Sequence, residues 1–121
     1  MKDPVNKMNR SGLVYRVKCK GCEGVYYGET LQYLSKRMQQ HQYDVSRGSK
    51  TTALAEHAIG KGHVMDLENV EVVCTERNTR KRKFLEAVHI VRDRNSINFQ
   101  KDSEMVSESY FGIIHGPGNG G

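Results

Sequence analysis

Two short runs of strand-forming residues, Leu13–Lys18 and Val25–Gly28, lie on either side of Cys19-Lys20-Gly21-Cys22-Glu23-Gly24. Gly21, Glu23 and Gly24 mark a turn, so the two runs read as a β-hairpin with both cysteines on its connection. That hairpin constrains the chain more than any other feature. It holds two thiols where they can converge, and it carries Tyr15, Tyr26 and Tyr27 on its strands.

The rest of the chain alternates helix and strand patterns. Thr30 is a reasonable N-cap for a helix from about Leu31 to Val45, with Leu31, Leu34 and Met38 as its core face. Tyr33, Arg37 and His41 recur at steps of four residues and share another face. A second helix is predicted from about Thr52 to Ile59, stopped by Gly60 and Gly62. Asn69 to Thr75 is a valine-rich third strand. Asn78 can cap a third helix to about Arg94, with Phe84, Leu85, Val88 and Val91 apolar. Ile97 to Phe99 can add a short terminal strand. Residues 1–11 read as a flexible leader, 12–100 as the domain and 101–121 as a C-terminal extension. Within that extension 116–121 is too rich in glycine to hold a shape, and Tyr110 to Ile114 can fold back as packing. The expected fold class is α+β, a central three-stranded and mostly antiparallel sheet flanked by helices.

With 121 residues and a hydrophobic fraction of 36%, the chain can build one modest core. Single domains commonly run to about 100–150 residues. No stretch approaches the roughly 18 apolar residues of a membrane span, so a soluble, intracellular and reducing setting is expected. Nineteen Lys and Arg against fourteen Asp and Glu give a net charge of +5, which favours a polyanionic partner without establishing one. Arg80, Lys81, Arg82 and Lys83 form the densest basic run. They suit a phosphate-binding strip, an import signal or a solvated helix turn.

Cys19 and Cys22 pair with His57 and His63 as the two halves of a metal site. Two thiolates and two imidazoles make a closed tetrahedral zinc site of the structural kind, and both local spacings fall in the usual range. The plain alternative is two free thiols and two exposed histidines. Cys74, inside the run Val70 to Cys74, reads as an inert core thiol.

Tyr15, Tyr26, Arg37 and Glu86 are residue types suited to cutting a phosphodiester. A phenol can orient or deprotonate water, an arginine can hold a phosphate, and a carboxylate can carry a divalent metal. Taken singly each has an ordinary reading. Strand tyrosines pack, and helical arginines and glutamates face solvent. Tyr27 and Tyr33 read as packing residues or phosphate contacts. His89 reads as a surface or supporting histidine, and His115 has no role.

Their order changes that balance. Val14-Tyr15, then Tyr26-Tyr27-Gly28, then Arg37 and His41 on a helix, Glu86 in Phe84-Leu85-Glu86-Ala87, and Asn98 after Ile97 together resemble the GIY-YIG endonuclease superfamily. The resemblance covers residues 12–99. Leu13 stands where the first motif has glycine, and Tyr27 where the second has isoleucine; neither change removes a reacting group. The cysteines between the two motifs and the later histidine pair look like the endonuclease domain of Penelope-like retroelements. The runs Val25 to Thr30, Leu54 to His57 with Gly62-His63, and Arg80 to Glu86 carry that similarity.

The resemblance implies a metal-dependent DNA endonuclease that nicks chromosomal DNA in the nucleus, on one polypeptide with a reverse transcriptase domain. It implies catalytic roles for Tyr15, Tyr26, Arg37, His41, Glu86 and Asn98, with Mg²⁺ or Mn²⁺ on Glu86 and structural Zn²⁺ on the Cys/His set. Arg80 to Lys83 would meet the DNA backbone. Tyr15 is the expected base, with Arg37 and the metal favouring its phenolate over the ordinary pKa of about 10. A non-catalytic zinc-stapled nucleic-acid-binding module and a host repair or restriction nuclease are the competing expectations.

Overall fold

In a strand, alternate side chains face opposite sides, and the alternation in Leu13–Lys18 sorts the molecule into two layers. The structure is a computed structural model that describes residues 7–104. Strand β1 is Leu13–Lys18 and β2 is Val25–Thr30, paired antiparallel so that Tyr15 opposes Gly28 and Val17 opposes Tyr26. Strand β3, Glu71–Thr75, runs antiparallel along the other side of β1 with a register shift between Val14 and Tyr15. The sheet order is β2-β1-β3. Leu13, Tyr15, Val17 and Tyr26 form the main core with Leu34, Met38, Leu54 and Ala58. Val25 and Tyr27 pack on the opposite side with Ile90 and Val73.

Helix α1 is Leu34–Ser46, and it starts later than the sequence suggests. Thr30 remains the last residue of β2. Its hydroxyl accepts from the Gln32 N–H at 3.0 Å in a local turn, so it caps no helix. The Leu34 N–H instead donates to the Arg10 carbonyl at 2.8 Å. Leu31, expected in the core, is half exposed at 50%. The buried positions of α1 are Leu34, Met38 and His41, spaced four and then three residues apart. A histidine therefore occupies a core position.

Helix α2, Ala53–Lys61, is capped by Thr52, whose hydroxyl accepts from the Ala55 N–H at 3.2 Å. Gly62, at φ 68°, closes it in the left-handed conformation that glycine adopts without a Cβ clash. Gly60 lies inside the helix rather than ending it. Helix α3 is Thr79–Arg92, and the Asn78 side chain accepts from the Lys81 N–H at 2.9 Å as expected. Its buried residues are Arg82, Ala87 and Ile90, while Phe84 and Val91 are largely exposed.

The predicted strand at Ile97 to Phe99 is reduced to a single parallel bridge between Val25 and Ser96. A short 3-10 turn, Gln100–Ser103, then packs on α3 across the boundary drawn at residue 100. Within the expected leader, Met8 packs against the core and Ser11 accepts from Arg77, so residues 7–11 are docked. The leader's beginning, Tyr110 to Ile114, His115 and 116–121 lie outside the described residues. The protein is thus a small α+β fold with a three-stranded antiparallel sheet and, among the described residues, three helices of more than one turn. None of them is long and apolar enough to cross a membrane.

Gly28 has no room for a side chain. A Cβ placed there would run into the Tyr15 hydroxyl and ring carbons. Gly28→Ala should therefore lower the unfolding free energy by about 2–3 kcal/mol, an overpacking penalty measurable by urea denaturation.

Candidate functional site

Because Tyr15 lies across Gly28, its ring extends under α1 and has no exposed surface. Its hydroxyl sits 2.7 Å from His41 Nε2 and receives a hydrogen bond from Arg37 Nε at 3.2 Å. Tyr26, two registers along the neighbouring strand, completes the group. Its ring centre is 6.4 Å from that of Tyr15 and 5.5 Å from that of His41. Four of the sequence-singled residues therefore meet in one buried cluster.

Burial dominates the ionisation of this cluster. It pushes the Tyr15 phenol up, and the opposing pull of Arg37 does not offset it. Burial also raises Tyr26, with Tyr15 and Glu86 adding to the effect. Arg37 does favour the Tyr15 phenolate, as expected, through its charge and its hydrogen bond, but by itself it does not outweigh burial, and both phenols hold their protons at neutral pH. His41 is pushed down to about 3 by burial and then by Arg37, so its imidazole is neutral. Among the described residues His41 Nδ1 is a buried nitrogen with no hydrogen-bond partner.

Glu86 reaches the same region from α3. Its carboxyl is pushed up to about 8, first by burial and then by Glu29 and Asp102, with Lys83 and Arg37 pulling the other way. No hydrogen bond from a described residue contributes. Its charge in turn acts on both phenols. A half-buried carboxylate without donors, crowded by two others, suits a divalent cation, which would relieve the repulsion. Glu29 follows Gly28 on β2, and Asp102 comes from the 3-10 turn. Sequence reading missed both, although the position of Glu29 beside the second tyrosine motif was a usable signal.

The basic run divides. Arg80 and Lys81 are exposed. Arg82 is 3% exposed and bonded to Glu29 Oε1 at 2.6 Å, so its expected place on a phosphate-facing strip is corrected. Lys83 is half exposed and holds Glu29 Oε2 at 3.0 Å. Asn98, expected among the reacting groups, has its amide turned to the backbone of Tyr27. Its Oδ1 accepts from the Tyr27 N–H at 2.9 Å, and its Nδ2 donates to the Tyr27 carbonyl at 2.8 Å. Tyr27 itself donates to Asp93 at 2.7 Å and stacks on His89, which makes it a packing residue. Tyr33 is exposed at the start of α1, and Cys74 is only half-buried.

Away from the phenols, Cys19, Cys22, His57 and His63 converge. Their ligand atoms all lie within 4.8 Å of one another. Cys19 Sγ is 3.4 Å from His63 Nδ1, Cys22 Sγ is 3.5 Å from His57 Nε2, and the two imidazole nitrogens are 3.2 Å apart. A tetrahedron with ordinary Zn–S and Zn–N lengths has S···N edges of about 3.5 Å and N···N edges of about 3.3 Å. The Gly21 and Gly24 N–H groups donate to the two sulfurs at 3.2 and 3.3 Å, which spreads thiolate charge. A Cβ at position 21 would strike the His63 ring, so the turn needs its glycine there. His57 comes from the middle of α2 rather than its end, and Gly62 lets His63 fold back beside it. These four residues can hold a metal ion such as zinc, with no position left open for catalysis.

No protein-family profile, curated protein or solved structure matches this chain. What the fold and its sites define is a small α+β protein with a Cys/His cluster able to bind metal and, separately, a Tyr15-Tyr26-Arg37-His41 cluster with the half-buried Glu86 close enough for its charge to act on the phenols.

Two outcomes test this geometry. Cys22 is exposed, so Cys22→Ser removes a ligand without opening the core. Purified chain should carry one zinc per molecule by elemental analysis. Cys22→Ser or a strong chelator should abolish cooperative thermal unfolding, since structural zinc is worth on the order of 10 kcal/mol in small modules. For Glu86, the raised carboxyl means the folded chain binds more protons than the unfolded one between pH 4.5 and about 8. Stability from this group is full below that window and lost as pH rises through it. In buffer free of Mg²⁺ and Mn²⁺, Glu86→Gln should melt at the wild-type temperature near pH 4.5 and at least ~4 °C higher at pH 9, about 1 kcal/mol for a domain of this size.

Proposed function

We propose that this chain is a metal-dependent DNA endonuclease of the GIY-YIG type, the nicking domain of a Penelope-like retroelement polypeptide. One observation carries the reading. Tyr15, Tyr26, Arg37 and His41 share a cluster whose phenols lie within the field of Glu86, although these residues come from two strands and two helices. The net charge of +5 and the exposed Arg80 and Lys81 favour a phosphate backbone as partner.

Glu86 would hold Mg²⁺ or Mn²⁺, which supplies charge opposite the scissile phosphate and makes bound water more acidic. The remaining chemistry belongs to the side chains. Arg37 spends its Nε–H on Tyr15 and offers its other donors to a non-bridging phosphate oxygen, offsetting the charge that builds there. Tyr26 orients the attacking water. As the water oxygen bonds to phosphorus, its proton passes to the Tyr15 oxygen and the Tyr15 proton passes to His41 Nε2. Neutral His41 is able to accept; burial first and Arg37 second hold it low, and a phosphate anion beside Arg37 weakens the second of these. The bond from phosphorus to the 3′ oxygen breaks, the departing oxygen takes a proton from solvent water to become a 3′ hydroxyl, and His41 then returns its proton through Tyr15 to solvent. Asn98 acts by fixing the backbone of β2 rather than by meeting substrate. The Cys/His zinc would be structural.

A non-catalytic, zinc-stapled nucleic-acid-binding module is favoured by one observation, the complete burial of Tyr15. Supercoiled plasmid with Mn²⁺ or Mg²⁺ separates the two readings. Wild type should convert it to open circle. Glu86→Ala, folded by circular dichroism, should lose at least a thousandfold in rate, and Tyr15→Phe about a hundredfold or more. Plasmid binding without nicking by a folded, zinc-loaded wild type overturns the nuclease.

A further inference from the structure

Helix α3 is fastened to β2 by a charged pair rather than by apolar packing alone, and the fastening lies one helical turn from Glu86. Arg82 and Glu86 are four residues apart and so share a face of α3. Arg82 is 3% exposed. Its Nε donates to Glu29 Oε1 at 2.6 Å, while its terminal nitrogens donate to the Glu76 and Arg77 carbonyls at 3.2 Å and to the Thr79 hydroxyl at 3.4 Å. One guanidinium thus reads the strand, the incoming loop and the first turn of the helix together. Glu29 is the residue after Gly28, on the strand that carries Tyr26 and crosses under Tyr15. Lys83 takes its second oxygen at 3.0 Å. Burial alone would raise the Glu29 carboxyl, but the bonds from Arg82 and Lys83 outweigh it and keep Glu29 ionised.

A buried ion pair is a poor way to gain stability, because desolvation consumes most of the attraction and an apolar pair of similar volume often does as well. What the fork geometry adds is direction. It fixes how far α3 is rotated and slid along β2, and so where the Glu86 carboxylate stands relative to the phenols. We propose that Glu29 and Arg82 are a positioning pair that holds Glu86 in register with Tyr15 and Tyr26 for divalent-cation binding. The inference rests on the nuclease reading and names residues that never touch substrate.

The test is Mn²⁺ binding by the intact zinc-loaded chain, followed by loss of the free-ion electron paramagnetic resonance signal. Charge alone and positioning predict different patterns. If charge alone mattered, Glu29→Gln would weaken binding, Arg82→Met would strengthen it and Arg82→Lys would leave it unchanged. If the pair positions Glu86, all three weaken Mn²⁺ binding by about tenfold or more, the range for residues that orient metal ligands. Arg82→Lys is decisive because it keeps the charge and loses the fork. Glu29→Asp, which keeps the charge but shortens the reach to Arg82, serves where a change at Arg82 prevents folding: charge alone leaves it at the wild-type affinity, and positioning weakens it as Arg82→Lys does. In plasmid nicking, the half-saturating Mn²⁺ concentration should rise in step while KM for DNA stays at the wild-type value. Wild-type Mn²⁺ affinity in folded Arg82→Lys, or in Glu29→Asp where that does not fold, overturns the pair and leaves the nuclease standing. A wild-type chain whose Mn²⁺ binding does not depend on Glu86 overturns both.

Discussion

The pairing of Tyr15 with Gly28 is the contact on which the rest of the arrangement depends. A side chain large enough to cross the sheet needs a neighbour with none, and the antiparallel register supplies glycine at that place. Once the ring lies there, its hydroxyl meets α1 at His41 and Arg37. The price is a dry environment in which phenol and imidazole are both held neutral. A buried phenol and imidazole bonded together in the main core are a poor choice for stability, and under the proposed nuclease reading they suit a proton relay.

The chain handles charge in two different ways. At the hairpin turn, two sulfurs and two imidazoles converge with backbone N–H groups behind the sulfurs, an arrangement completed by a cation. Near the phenols, Glu29 of β2 and Asp102 of the 3-10 turn both act on Glu86 of α3; Glu29 is bonded to Arg82 and Lys83, whereas Lys83 and Arg37 act on Glu86 only at a distance. Asp102 is occupied by Asn98 and the Phe99 N–H. Glu86 has no hydrogen-bond donor among the described residues, and in the proposed nuclease it is the carboxylate left for a metal ion.

Much of this was legible in the sequence, for reasons that differ by element. The hairpin, α2 and α3 followed from local signals: alternation in Leu13–Lys18, the Thr52 and Asn78 caps and the glycine at 62. The Cys/His set was legible from spacing because metal ligands must satisfy local geometry. The start of α1 was not, since Thr30 bonds its own turn and the Leu34 N–H is satisfied by the distant Arg10 carbonyl. Arg82 was misplaced for the same reason. Four consecutive basic residues look alike in sequence, and only the fold decides which of them meets a buried carboxylate. His41 reads with Tyr33 and Arg37 as one polar face, whereas its spacing from Leu34 and Met38 puts it on the buried side of α1. Propensity sees neighbours along the chain, and the start of α1 and the place of Arg82 were set by partners far along it, whereas the burial of His41 follows from spacing along α1 itself.

Asn98 carries a consequence for how the molecule meets copies of itself. An outermost strand exposes a row of unpaired amides that can recruit a strand from another chain. The outer side of β2 is occupied instead by the Asn98 side chain, which offers Tyr27 a donor and an acceptor as a neighbouring strand would. The Val25 N–H and carbonyl are taken by Asn95 and Ile97, at 2.9 and 2.8 Å. From Val25 to Tyr27 that border of the sheet is already hydrogen-bonded, so an incoming strand finds no free donor or acceptor on these two residues, without a fourth strand being built.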